Sequence, residues 1–422
     1  MQKRFRLTRQ ANSKCCAEMK QRVQHSRVNA TGDQIWKRAA AFLAWTGTLL
    51  LACVLFPRTG AAITLEADGF HVFPGENIQD ALQAAARHPS NKVVKVHAGV
   101  YRPDRQRQAL IWFNRMHDGI RLEAVGEVTL TAANTNLADK SSPTYPAVVN
   151  HVVYFGHGIS SNTVIRGFRI TGANGFVTKR VTRQIEPETS VPMNLFFFTD
   201  GGAIKIFGRS YPTLQNLEIA GNYTSPCGAG VSVQHEGIKD GSVLIENCVF
   251  RDNRTQVTGS ALDLLEGSSA RVVNCLFVGN VSNTGADVVS QRSGERPFTN
   301  SGAVTIFKHS RATLEKCTFT GNRNGVDDMG GGSVFTECIF FRNTIEGGLP
   351  GDKRYELDLA KGAKVSGCFI SGLVLDPRKS VSASGNVLNA SDPKFDREFV
   401  PQSPGYEGAG FRPTTRRASI NE

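Results

Sequence analysis

Seven times between Ile165 and Ile370 the chain repeats one phrase, in which an apolar residue is followed three places later by Cys or another apolar residue, and two places after that by Phe, Ile or an equivalent. The middle positions are Phe168, Leu217, Cys248, Cys275, Cys317, Cys338 and Cys368, separated by 49, 31, 27, 42, 21 and 30 residues on subtraction of those numbers. Intervals this irregular exclude a helical-pair solenoid and fit a constant core interrupted by variable loops. The middle and last residues of each phrase lie two apart and share one face of a strand. The residue three before the middle cannot share that face on a straight strand, so a bend must intervene, at or beside Asn216, Asn247 and Asn274.

A second strand recurs upstream of most copies: Gly202-Ala203-Ile204-Lys205-Ile206, Gly230-Val231-Ser232-Val233, Ala261-Leu262-Asp263-Leu264, Ala303-Val304-Thr305-Ile306 and Glu356-Leu357-Asp358-Leu359. Its apolar and polar residues alternate as in a half-buried strand. One unit of two short strands is too small to bury its own apolar face, whereas stacked units share a continuous core with rungs about 4.8 Å apart. Dense Gly and Asn, together with β-branched and Phe residues at the apolar positions, argue against helices. A β-sandwich gives no reason for the same residue types to return at the same place. The fold expected is all-β, a parallel β-helix.

These units, of which Glu246-Asn247-Cys248-Val249-Phe250-Arg251-Asp252-Asn253 is representative, resemble those of the right-handed parallel β-helix proteins of the pectate-lyase-like superfamily, especially the bacterial exported type. The resemblance spans roughly residues 64 to 410. It implies a right-handed solenoid and leaves the activity open, since the fold hosts lyases, hydrolases and adhesins.

Four segments are expected: a basic leader with signal peptide or anchor at 1–62, an N-terminal cap at 63–91, the β-helix at 92–390, and a C-terminal cap and tail at 391–422. Phe73 to Ala85 reads as a short amphipathic capping helix that covers the open end of the solenoid. Asp392-Pro393-Lys394-Phe395 and Ser403-Pro404-Gly405 resemble a closing segment.

The net charge of +12 belongs almost entirely to the leader: residues 1–62 hold 11 Lys/Arg against 2 Asp/Glu, which leaves 38 against 35 of the totals of 49 and 37. The basic balance is therefore no nucleic-acid signal. Lys37 and Arg38 precede an apolar run from Ala39 to Phe56, and small residues follow up to Ala62. This predicts export to the periplasm, cell surface or medium with cleavage after Ala62, the alternatives being an uncleaved membrane anchor and lipidation at Cys53.

The ladder cysteines are expected to be buried free thiols, since no unit holds two of them and no paired framework or metal-ligand spacing appears, the alternative being disulfides between adjacent rungs in an oxidising compartment. Asn222, Asn253, Asn280, Asn322 and Asn343, each five residues after a middle position, form a second ladder suited to bonding backbone groups at strand ends. Lys205, Ser232, Asp263, Thr305 and Asp358 are the outward residues of the second strand, a line that a sugar chain could follow. Two insertions, Gly175 to Asp200 and Ser282 to Ser301, enter before that strand and carry Lys179, Arg180, Arg183, Glu186 and Glu188, then Asp287, Arg292, Glu295 and Arg296. Basic groups of this kind suit acidic polysaccharide.

The expected task is recognition of polysaccharide or a cell-surface glycan, with Lys205, Asp263, Arg180, Arg183 and Asp358 as substrate-binding residues. The alternative follows from the resemblance. Lyases of the superfamily hold calcium on carboxylates and use an Arg or Lys base, roles that would fall to Asp327 and Asp328, in a Gly-rich turn, and to Arg292 or Arg296. A glycoside hydrolase is the lesser variant: Gly156-His157-Gly158 resembles a motif of polygalacturonase-like hydrolases, but there the acid pair precedes it and here Asp327-Asp328 follows.

Overall fold

A computed structural model describes residues 63–178, 200–224, 227–265, 267–284, 301–345, 354–376, 381 and 385–414. Nearly all strands pair in parallel, in an 18-stranded sheet and a nine-stranded sheet. Each coil contributes one strand to the nine-stranded sheet and two short arms to the larger one. Around Cys248, for example, the arms are Val243–Glu246 and Val249–Arg251, and they pair in register with Ser269–Val273 and Leu276–Val278 of the next coil. The architecture is the parallel β-helix anticipated from the repeat.

The bend between the arms has one cause in every coil. The residue immediately before each middle position adopts the left-handed conformation: Gly167, Asn216, Asn247, Asn274, Lys316, Glu337 and Gly367, with φ between 50° and 84°. A single left-handed residue reverses the side-chain alternation, so the apolar residues on both sides of the bend point inward. Asn and Gly tolerate that conformation; Lys316 and Glu337 are held in it by the rungs above and below.

Inside the coils the repeat becomes ladders. Phe250, Phe277, Phe319 and Phe340 stack in series with centroids 4.8, 4.3 and 4.9 Å apart. Cys248, Cys275, Cys317, Cys338 and Cys368 are buried free thiols, their Sγ atoms directed at backbone carbonyls, as with Cys275 to Ile245 O at 3.7 Å. The Asn ladder is continuous: each Nδ2 donates to the next Oδ1, from Asn222 to Asn253 at 3.0 Å, Asn253 to Asn280 at 3.0 Å, Asn280 to Asn322 at 2.9 Å and Asn322 to Asn343 at 2.7 Å. All five are buried and satisfy carbonyls where strands end, which fixes them as structural residues.

The helix Ile78–Arg87 covers the N-terminal end, with Ile78, Ala81, Leu82 and Ala85 facing the core at helical spacing. Its Gln79 side chain pairs with both backbone groups of Trp112, donating to O at 3.1 Å and accepting from N at 2.8 Å. One amide side chain thus stands in for the next rung at an open sheet edge. The C-terminal segment packs along the flank rather than over the end. Gly410 N donates to Glu337 O, and Asn274 exchanges hydrogen bonds with the backbone of Arg412. On the final rung Val387 and Leu388 remain 44% and 43% exposed.

Phe277 is one of the two inner rings of its stack, so Phe277→Ala is expected to destabilise the protein by about 3–5 kcal/mol. Denaturant unfolding followed by far-ultraviolet circular dichroism measures the loss.

Candidate functional site

The nine-stranded sheet puts one column of side chains on its outer face. Register pairs Trp112 with Tyr154, Tyr154 with Lys205, and Lys205 with Ser232. The column continues through Asp263, Thr305, Asp327 and Asp358. Two expectations change here. Asp327 and Asp328 lie on a strand, Val326–Asp328, inserted between Val304–Ile306 and Leu357–Asp358, and not in a turn. Asp327 thereby joins the column that holds Lys205 and Asp263, while Asp328 takes the register of the core residue Ile306. The Asp328 carboxylate accepts from Gly330 N at 2.9 Å and Ser333 Oγ at 3.1 Å, which closes the turn after the strand. Adjacent strand residues leave by opposite faces. The two carboxyls therefore do not converge as a calcium pair; on this face the neighbouring carboxyls are Asp327 and Asp358, one rung apart.

The column is also sealed. Lys205, Ser232, Asp263 and Thr305 have no exposed surface and Asp327 retains 3%, so they are not the solvent-facing line expected; only Asp358 is half-buried. Lys205 Nζ donates to Gln234 Oε1 at 2.8 Å and Ser232 Oγ at 3.2 Å, and lies 4.0 Å from Asp200 Oδ2. Burial lowers the Lys205 pKa, against the pull of Asp200 and Asp263. Burial raises Asp263 well above the carboxylate range, Asp200 adds to this, and Thr258 Oγ1, donating at 3.3 Å, opposes it. Asp327 is raised in the same way, by burial first and then by Asp358 and Asp328. Oδ2 of Asp263 and of Asp327 meet no hydrogen-bond donor among the described residues. Neutral carboxyls suit that setting.

His157 sits in the turn after Val149–Phe155, where Nδ1 accepts from Arg209 N at 3.2 Å. Five rungs, about 24 Å, separate its coil from that of Asp327, so the hydrolase pairing does not form. Arg180, Arg183, Arg292 and Arg296, with the other charged residues of both insertions, lie outside the described residues.

At its N-terminal end the column opens into a groove of about 700 Å³ between the capping helix and the first coil. Arg87, Arg105 and Arg107 line it with Trp112, Asp80 and His117. The Arg107 guanidinium lies 5.8 Å from the Trp112 ring centroid and pairs with Asp104 at 3.1 Å. Burial pushes His117 down to about 4, so it is neutral at physiological pH. Residue-pattern reasoning overlooked this groove because its arginines precede the first clear repeat. A signal for the missed strand was present: Gly230, Gly302 and Gly325 each open a strand of this sheet, and a Cβ on Gly325 would strike the carbonyl oxygen of Glu356 one rung on.

The family model described as "Right handed beta helix region" matches residues 113–301. The fold that it describes, a right-handed parallel β-helix, is the one that the described strands form. The right-handed parallel β-helix expected from the repeat is upheld as a fold. Among solved structures it is similar to pectin methylesterase from carrot, at 13% identity over 75% of this chain and 84% of that one, with a TM-score of 0.35. Nothing about the chemistry of this β-helix follows from so distant a likeness. No curated protein matches the chain.

Because Asp327 holds its proton more tightly folded than unfolded, its contribution to stability is complete below the unfolded value of 3.8 and is lost as pH rises toward its folded pKa. Asp327→Asn removes that dependence. The variant should gain in melting temperature relative to the parent as pH is raised from about 4 to about 8, as read by differential scanning fluorimetry.

Proposed function

We propose that this β-helix is an exported protein that recognises acidic polysaccharide, with residues 1–62 as its export signal or anchor and the groove at the capping helix as its contact site. The observation that carries the reading is the groove itself: three arginines, from the capping helix and the first coil, converge on one opening, with the Trp112 ring buried beside Arg107. Guanidinium groups pair with carboxylate or sulfate in two-point geometry. Arg87 and Arg105 are exposed, so their pairing groups reach solvent without rearrangement. The rigid solenoid holds these groups at fixed spacing, which limits the ordering cost of binding. Of the substrate-binding residues expected from sequence, Lys205 and Asp263 are buried and make no direct contact in this reading.

A second reading, a calcium-assisted polysaccharide lyase, is favoured by one feature, the carboxyls of Asp327 and Asp358 one rung apart in the same column. Asp327 and Asp358 would hold the ion, which supplies charge withdrawal from a uronate carboxylate, and Arg292 or Arg296 would be the base. It predicts a calcium-dependent ultraviolet absorbance of unsaturated products that Asp327→Asn abolishes.

For the recognition reading, the full chain should be retained on immobilised polygalacturonate and not on a neutral glucan, with no unsaturated product formed. Arg105→Ala, at an exposed position, should weaken isothermal titration binding of an acidic oligosaccharide about tenfold, the loss of roughly one charge-assisted pairing. Equal binding by parent and variant would refute the groove as the contact site.

A further inference from the structure

Apart from the column and the groove, the first hairpin carries a separate cluster. Strand Thr64–Glu66 turns back through Asp68 into Gly69–Val72 in antiparallel register, and Gly69–Val72 then pairs in parallel with Val93–Tyr101, setting His71 beside Lys95. Ligand atoms of Glu66, Asp68 and His71 all lie within 4.8 Å of one another. From His71 Nε2, Asp68 Oδ1 is at 2.9 Å and Glu66 Oε2 at 3.7 Å. A tetrahedral ion with bonds of about 2.0–2.1 Å sets its ligands about 3.3 Å apart, between those two distances.

The histidine is oriented from behind. Its Nδ1 lies 2.8 Å from His97 Nε2, so the ring is held by its far nitrogen while Nε2 faces the two carboxylates. His97 in turn stacks on Phe73 at 4.2 Å, nearly parallel. A metal-ligating imidazole is characteristically fixed in this manner through the nitrogen that does not bind. The His71 side chain is 9% exposed, whereas those of Glu66 and Asp68 are 54% and 55%, which leaves an entry path from solvent. Lys95 Nζ occupies the other oxygen of Asp68.

We propose that Glu66, Asp68 and His71 form a site for a divalent ion of the zinc class, with His97 as the residue that orients His71 and water completing the coordination. One nitrogen and two oxygens suit zinc and its neighbours better than calcium, which takes six or more oxygens. An ion here clips the exposed first strand to the second, immediately after the leader.

The test is isothermal titration of the full chain with ZnCl₂, comparing parent and variants because other histidines and the leader cysteines also bind zinc. Glu66→Gln, at an exposed position that the core does not need, should remove one equivalent or weaken it about tenfold, and His71→Ala should abolish it. Lys95→Met, which removes the competing ammonium, should tighten the same equivalent several-fold; His97→Ala should weaken it while keeping the stoichiometry. Isotherms for Glu66→Gln and Lys95→Met that coincide with the parent's would overturn the proposal, as would the absence of any zinc binding by the parent.

Discussion

In-register stacking is the constraint on which everything else in this molecule depends. A coil can donate its backbone to the next only if both turn at the same residue, so each coil needs a left-handed position in one place, just before the inward Cys or its equivalent. With that bend fixed, the inward residues stack into Phe and Cys columns, the Asn side chains meet at the corner, and the backbone groups of each arm find partners above and below. Insertions are tolerated because they leave and re-enter between strands without moving the bend.

The same constraint explains what the outer face of the nine-stranded sheet can and cannot do. Register forces one outward residue per coil into a common column, and successive carboxyls then lie about one or two rungs apart with little freedom to separate. Sealed from water, Asp263 and Asp327 favour protonation, and the single lysine of the column lies near Asp200 at its other end. Polar chemistry directed at solvent shifts to the edge of the solenoid, where Arg87 and Arg105 line an open groove beside the capping helix.

Much of the fold was legible in the residues. The bend was deduced from a three-then-two spacing that a straight strand cannot satisfy, and Asn216, Asn247 and Asn274 do adopt the left-handed conformation. Lys316 and Glu337 were not legible as bend residues, because stacking imposes a conformation that their own preferences resist. The strand Val326–Asp328 was missed because three residues between Gly-rich turns carry no periodicity, although Gly325 marks the close approach of the next rung. Burial of the polar column was invisible for another reason: alternation tells which residues leave the core face, but not whether anything lies over them. The groove at the cap is assembled from Arg87 on the helix and from Arg105 and Arg107 in the first coil, which only the tertiary fold brings together.

Amide hydrogen exchange with and without an acidic oligosaccharide tests most directly whether contact occurs at the cap and not along the column. The account predicts added protection in 77–87 and 105–117, with the strands from Ile204–Phe207 to Leu357–Asp358 unchanged. Protection confined to those strands, with the cap unaffected, would contradict it.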